Sequence, residues 1–317
     1  MLHRNFKFIA EDTFEVGYNP QKEWAWLITS AFFFGEVGAG LFLVSLFLPG
    51  ELSLWSAILG WLIVAVGKNF THFIYLGKPW RFWRMVFRPQ TSWISRGFFA
   101  TVALCGLGLI YIILKWLQIY AGASPTGFSN LIMYLSGFCA FVVMIYDGIV
   151  MTYSPSLPLW NSSLLPVLRV SYAAMGGVTL SLLIAAIPAI APALSEVQSE
   201  VLENLERWLI ITNLIMIIVY LLTLTYSVAT AKESAHLIVK EKYPVVFWFG
   251  VVLVGLVVIF LLPAIVTTHS LSLLIFVALC ELIGDFCILF LLIRAGVYSP
   301  LMPHPNIDPT LFSRMRA

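Results

Sequence analysis

The sequence predicts an all-α integral membrane protein with eight transmembrane helices, and three observations carry that prediction. Of the 317 residues, 60% are hydrophobic and only 11% are charged, which lies outside the range of soluble domains. The apolar residues fall in continuous runs, whereas a membrane-spanning strand would alternate apolar and polar positions. Each run reaches the roughly 20 residues that a helix needs to cross the hydrocarbon, and Pro, Gly or clustered charge divides one run from the next.

Taken in order, the spans are expected at Trp24–Leu48, Leu54–Leu76, Gly97–Ala121, Phe128–Thr152, Leu165–Pro192, Glu206–Ala231, Pro244–Thr267 and Ser270–Ala295. They form one membrane domain over residues 24–295, between a polar tail at 1–23 and another at 296–317. Pro49-Gly50, Gly77-Lys78-Pro79, Ser124-Pro125, Pro155 with Pro158, Pro192 and Lys240–Pro244 interrupt the apolar runs. The last break, Thr267-Thr268-His269-Ser270, is scarcely a loop. Without a turn there, two spans would fuse into about 50 residues, too long for a bilayer. The start is polar up to Glu23 and the first apolar run is too long for a signal-peptide core, so no cleaved leader is expected. Cys105, Cys139, Cys280 and Cys287 lie scattered in apolar runs with no CxxC spacing. That suggests helix packing rather than disulfides or a thiolate metal site.

Eight spans bring both termini to one side. That side receives fifteen of the 18 Lys and Arg residues: Arg4, Lys7, Lys22, Lys78, Arg81, Arg84, Arg88, Arg96, Arg169, Lys232, Lys240, Lys242, Arg294, Arg314 and Arg316. The other side has Glu51 and the run Ser195–Arg207 with Glu196, Glu200, Glu203 and Glu206. In that run Val197, Val201, Leu205 and Trp208 recur at helical spacing, an amphipathic helix leading into the sixth span. The positive-inside rule then makes the first side cytoplasmic, in the inner membrane. A basic surface built to dock a partner would give the same asymmetry.

The connection from His72 to Gly97 concentrates that charge. It carries Lys78, Arg81, Arg84, Arg88 and Arg96, no acid, and Trp80, Trp83 and Trp93. Such a segment suits the rim of a membrane protein, gripping an anionic lipid headgroup, a partner subunit or both. Its tryptophans also fit a plain interfacial belt.

Ionisable groups inside spans are expensive and face the bundle interior. Here they are Glu36, Lys68, His72, Asp147, Glu281 and Asp285. At about 1.5 Å per residue, His72 lies about 6 Å below the basic rim and Asp147, beside Tyr146, about 8 Å. Lys68 is one turn deeper than His72 on the same face. Glu36 and Asp285 fall near mid-membrane, and Glu281 lies one turn further. A shallow polar cluster is thus continued inward by carboxylates. Glu36 and Lys68 can be read as a relay or as a buried ion pair, and Glu281 and Asp285 as a proton relay or as the wall of a wet structural cavity. Lys115, Arg169 and Arg294 lie near span ends and are expected to snorkel. Of His3, His72, His236, His269 and His304, only His72 and His269 touch span ends, on opposite sides. Two imidazoles at one depth are missing, so no haem is expected, nor any metal.

The motifs at 76–85 (Leu-Gly-Lys-Pro-Trp-Arg-Phe-Trp-Arg-Met), 91–97 (Thr-Ser-Trp-Ile-Ser-Arg-Gly) and 158–166 (Pro-Leu-Trp-Asn-Ser-Ser-Leu-Leu-Pro) resemble the NrfD/polysulfide-reductase family of membrane subunits. The resemblance covers the first span through the eighth. It implies a haem-free anchor of two four-helix bundles that docks a ferredoxin-like iron–sulfur subunit, often with a molybdopterin catalytic subunit, and exchanges electrons with menaquinone or ubiquinone. It implies quinone contacts at Tyr146, His72 and Asp147, close to the Trp160-Asn161 motif, whose two residues are read as further contacts. The residues themselves add chemical roles for His72 and Asp147, Lys78 to Arg96 as a docking floor, and, as a weaker reading, a proton path through Glu36, Lys68, Asp285 and Glu281. One departure stands out. Family members with an Asn and a His in the first span contact quinone through them, and Ile28–Phe34 here contains neither.

The residues support the same reading on their own terms. A quinone needs an apolar slot, hydrogen-bond donors for its carbonyls and a group that handles protons, and His72, Tyr146 and Asp147 supply these at one depth. A secondary transporter would instead centre on Glu36, Glu281 and Asp285 at the midplane, leaving the basic rim unexplained. A structural anchor without quinone chemistry is the third reading. Nothing suggests nucleic-acid binding. The partners expected are membrane lipid and the iron–sulfur and molybdopterin subunits.

Overall fold

The computed structural model describes residues 19–187, 195–265 and 271–299. Eight helices among them are long and apolar enough to cross a membrane: α1 (Trp26–Ser45), α2 (Gly50–Tyr75), α3 (Trp93–Tyr120), α4 (Gly127–Thr152), α5 (Leu164–Ala185), α6 (Glu196–Thr225), α8 (Val246–Pro263) and α9 (Leu271–Arg294). A short helix, α7 (Ala229–His236), connects α6 to α8. The only strand-like pairing among the described residues is an isolated bridge between Pro20 and Val297. The protein is an all-helical integral membrane protein, as the composition predicts.

The helix starts differ from the expected spans for local reasons. Ser195 and Gln198 form a reciprocal capping box, which satisfies two otherwise orphaned backbone donors. Helix α6 therefore begins at Glu196, and the amphipathic run and sixth span are one 30-residue helix. Ser92 caps α3 through Ser95 N at 3.3 Å, which draws Trp93–Arg96 into that helix. Gly77, at φ +60°, ends α2 in a left-handed turn that favours glycine. Helix α5 ends at Ala185, short of the expected Pro192. Residues 188–194 and the turn at 267–270 lie outside the described residues.

Two helices depart from α geometry. Ile63–Lys68 within α2 and Val246–Val258 within α8 wind as π-helix, a form that shifts side-chain register and recurs at functional sites.

Lipid gives helices no hydrophobic reason to associate, so close packing and polar contacts must hold them. The tightest seam joins α1 to α5. A Cβ at Gly40 would collide with the Ala173 carbonyl, and one at Gly177 would lie 2.6 Å from the Gly40 carbonyl carbon. One apolar core gathers around α1 to α4, including Phe42, Leu104 and Met144. A second gathers around α5, α6, α8 and α9, including Tyr172, Tyr220 and Leu289, and reaches Ile28 and Phe32 of α1. The described chain ends meet, Gln21 N donating to Gly296 O at 2.7 Å and Tyr298 N to Asn19 O at 2.9 Å.

This seam predicts a contrast. Gly40→Val lowers the thermal midpoint of the detergent-solubilised protein, since forcing bulk into a packed contact costs about 1–3 kcal/mol or more. Gly106→Ala, with no atom within 4 Å of the added Cβ, leaves the midpoint unchanged.

Candidate quinone cavity and buried ion network

A cavity of about 460 Å³ opens where α1 begins, α2 and α4 end and α3 begins. Its wall is mostly apolar, with Ile28 and Phe32 from α1, Phe98 and Val102 from α3, and Phe82 and Met85 from the loop after α2. Polar groups interrupt it, among them Lys68 and His72 of α2 and Tyr146 of α4; Asn69 and Thr101 also line it but bond within their own helices, to Ala65 O and Gly97 O. His72 and Tyr146 line the cavity from two different helices, and neither has a hydrogen-bond partner among the described residues. The Phe32 ring lies near both, 6.0 Å from the imidazole and 6.5 Å from the phenol ring by centroid.

Glycines make room for this wall. A Cβ at Gly97 would run into the Tyr146 ring, and one at Gly35 would lie 2.8 Å from Lys68 Cδ. Lys68 Nζ lies 5.3 Å from the Tyr146 ring centroid and 5.7 Å from that of Phe32.

Behind the cavity the ammonium of Lys68 meets Asp147 Oδ1 at 3.3 Å. Both side chains are buried. Asp147 does not line the cavity and reaches it only through Lys68. Of the two readings of Glu36 and Lys68, the ion pair between them is not formed, since Glu36 pairs with Arg169 and Lys68 with Asp147. The π-helical turn that ends at Lys68 helps explain this, because it changes the face on which that lysine emerges.

Arg169 overturns a second expectation. It does not snorkel; its side chain is wholly buried, 0% exposed. Its guanidinium contacts the Glu36 carboxylate and lies 3.7 Å from Asp285 Oδ1. One basic residue thus joins α1, α5 and α9. Its stem passes against Gly148, where an added Cβ would lie 3.2 Å from Arg169 Cγ, beside Asp147. Removing Arg169 from the loop count leaves the basic asymmetry standing.

The network continues along α9. Glu281 is buried and its Oε2 accepts from the Thr179 hydroxyl, which also lies 2.5 Å from Glu206 Oε1. Tyr172, buried one turn from Arg169, sits within electrostatic reach of Asp285 and Glu281. Sequence reasoning missed Arg169, Tyr172, Thr179 and Glu206. Charge balance was the available signal, since three deep carboxylates faced only one accepted cation, Lys68.

Trp160 and Asn161 lie outside the cavity wall. The Trp160 indole donates to Leu292 O at 2.6 Å and packs 4.8 Å from Trp24, which lines the cavity. Trp160 thus braces the wall, while Asn161 is exposed. The basic connection forms a 3-10 helix, Pro79–Phe87, with Trp80 83% exposed. Lys78, Arg81, Arg84 and Arg88 are exposed and make no ion pair among the described residues. Arg96 is engaged locally, donating to Pro89 O at 2.9 Å and Gln90 O at 2.7 Å and stacking 4.4 Å over Trp93. No group of three metal-ligating side chains gathers among the described residues.

A family model described as "Polysulphide reductase, NrfD" matches residues 15–300. The chain belongs to the NrfD family. It is also similar to a protein of Haemophilus influenzae called "Protein NrfD homolog", 24% identical over 263 residues that cover 75% of this chain and 80% of that one. For an NrfD-family membrane subunit, a cavity walled by α1 to α4 and a buried ion network between α1, α5 and α9 are the two features the residues themselves establish.

The network predicts a non-additive mutant series. Arg169→Met leaves two carboxylates without their cation and costs about 3–5 kcal/mol, read as a fall in thermal midpoint. Adding Glu36→Gln and Asp285→Asn recovers much of that loss, because the stranded charge is gone.

Proposed function

We propose that this NrfD-family subunit exchanges electrons and protons with the membrane quinone pool, using the cavity between α1 and α4 as the quinone site. The observation that carries the reading is the presence, in the wall of one mostly apolar slot, of an imidazole and a phenol with no hydrogen-bond partner among the described residues. A slot of this kind, opening at the end of a membrane bundle, suits a flat ring with an apolar tail. His72 and Tyr146 would hold the two carbonyl oxygens, and Lys68 would stabilise negative charge developing on the ring.

When quinol is oxidised, two electrons leave for an iron–sulfur partner and two protons must be accepted; reduction runs the same balance backwards. His72 takes the first proton directly. Lys68 links the cavity to Asp147, which acts one step behind the wall. From Asp147 the network of Glu36, Arg169, Asp285 and Glu281 supports proton movement away from the cavity. Trp160 acts by bracing Trp24.

The partner reading rests on the loop after α2. Lys78, Arg81, Arg84 and Arg88 lie beside the cavity mouth, where Phe82 and Met85 form part of its wall. A carboxylate-rich ferredoxin-like subunit seated there would bring its cluster close to the quinone, with a molybdopterin subunit beyond. The positive-inside count supports a cytoplasmic position for this face. Arg96 serves by holding the loop.

Two experiments test the reading. Tyr146→Phe and His72→Ala each reduce quinol-linked electron transfer by about tenfold or more in the assembled complex, as expected for loss of a proton-transfer group. Unchanged turnover in both, with assembly intact, contradicts the site. Arg81→Glu with Arg84→Glu weakens association with the iron–sulfur subunit in pull-downs. The wild-type interaction also weakens as salt rises.

A further inference from the structure

A second cavity, of about 600 Å³, opens at the opposite end of the bundle between α5, α6, α8 and α9. Its wall carries Glu196, Glu200, Glu203 and Glu206 on successive turns of α6, and Thr179 of α5. Acids on a helix face are ordinarily just solvated. Here the row runs into a buried acid, because Glu281 stands behind Thr179 with its other oxygen, Oε1, lacking a partner among the described residues.

The hydrogen-bond count at Thr179 is informative. Its Oγ1 lies within bonding distance of both Glu206 Oε1 and Glu281 Oε2. A hydroxyl has one proton to donate, and an ionised carboxylate has none. Two hydrogen bonds at that oxygen therefore require one carboxyl to be an acid that donates to Thr179 while the hydroxyl donates to the other carboxylate. Arg207 stands nearby, 3.8 Å from Glu203, so its charge is directed to Glu203. On the inner side, Tyr172 and Asp285 lie within electrostatic reach of Glu281, and Asp285 Oδ1 is 3.7 Å from Arg169.

We propose that Glu206, Thr179 and Glu281 form a proton relay connecting the buried ion network to this acidic vestibule, with Glu206 as the group that exchanges protons with water. In one state Glu281 is the acid, its O–H donating to Thr179, whose own O–H donates to ionised Glu206. Both protons then shift one hydrogen bond along: Glu281 O–H breaks, a new O–H forms on Thr179, and the former hydroxyl proton passes to Glu206. One proton has moved from Glu281 to Glu206 and no electron has moved. The relay rests on the proposed quinone site for its supply of protons, while its own geometry is independent of it.

The test therefore has two arms. Infrared spectroscopy of the purified full-length chain should show a carboxylic-acid C=O stretch that shifts in Thr179→Val, keeps its position in Thr179→Ser, and is lost in Glu281→Gln. The assembled complex, reconstituted in vesicles and turning over quinol, should release protons at the vestibule end about tenfold more slowly, or more slowly still, in Thr179→Val, with the rate rescued in Thr179→Ser. A band indifferent to Thr179 and Glu281, or vectorial release at the wild-type rate in Thr179→Val, overturns the relay. Absence of quinol turnover in the wild-type complex would instead count against the quinone site, and the infrared arm would still decide the relay.

Discussion

A guanidinium sealed inside a membrane protein constrains everything around it. Moving such a charge out of water costs several kcal/mol even after relaxation, so Arg169 must have carboxylates within reach, and they must come from other helices. Glu36 of α1 and Asp285 of α9 fill that role, which fixes the relative height and rotation of three spans. Gly148 lets the arginine stem pass, and the adjacent Asp147 forms a second buried ion pair with Lys68. Apolar faces slide past one another with little preference in lipid. A shared ion network does not.

This constraint explains which parts of the molecule were legible in the sequence. Eight spans could be read because hydropathy and Pro or Gly breaks are local, and most helices follow them to within a few residues; α6, which starts ten residues early at its capping box, departs furthest. The convergence of His72 and Tyr146 could also be read, since depth along a helix is a matter of counting residues. Rotation and partner choice could not. Lys68 meets Asp147 rather than Glu36 after a π-helical stretch that hydropathy does not announce. Counting puts Arg169 near a span end, because it gives depth and says nothing of the neighbours. The partner of Glu206 is hidden for the same reason, since Thr179 approaches it from another helix.

The proposed function divides the work along the bundle axis. A mostly apolar cavity lies at one end, beneath a loop carrying four exposed basic side chains. An acidic vestibule lies at the other. Between them runs a buried sequence of ionisable groups from α1, α2, α4, α5 and α9, closed at the far end by a threonine between two acids. The basic loop suits a negatively charged electron-transfer partner, and the acidic row suits exchange of protons with water. The two ends are therefore chemically distinct and need not share residues.

The central claim is the location of the quinone site, and photolabelling tests it most directly. A ring-substituted azidoquinone would be activated in the full-length protein and the adducts mapped by mass spectrometry. The account predicts adducts on the cavity wall, around Phe32, His72, Phe98 and Tyr146, that are suppressed by excess unlabelled quinone. Competable labelling confined to the lipid-facing surface or to the acidic vestibule would contradict it.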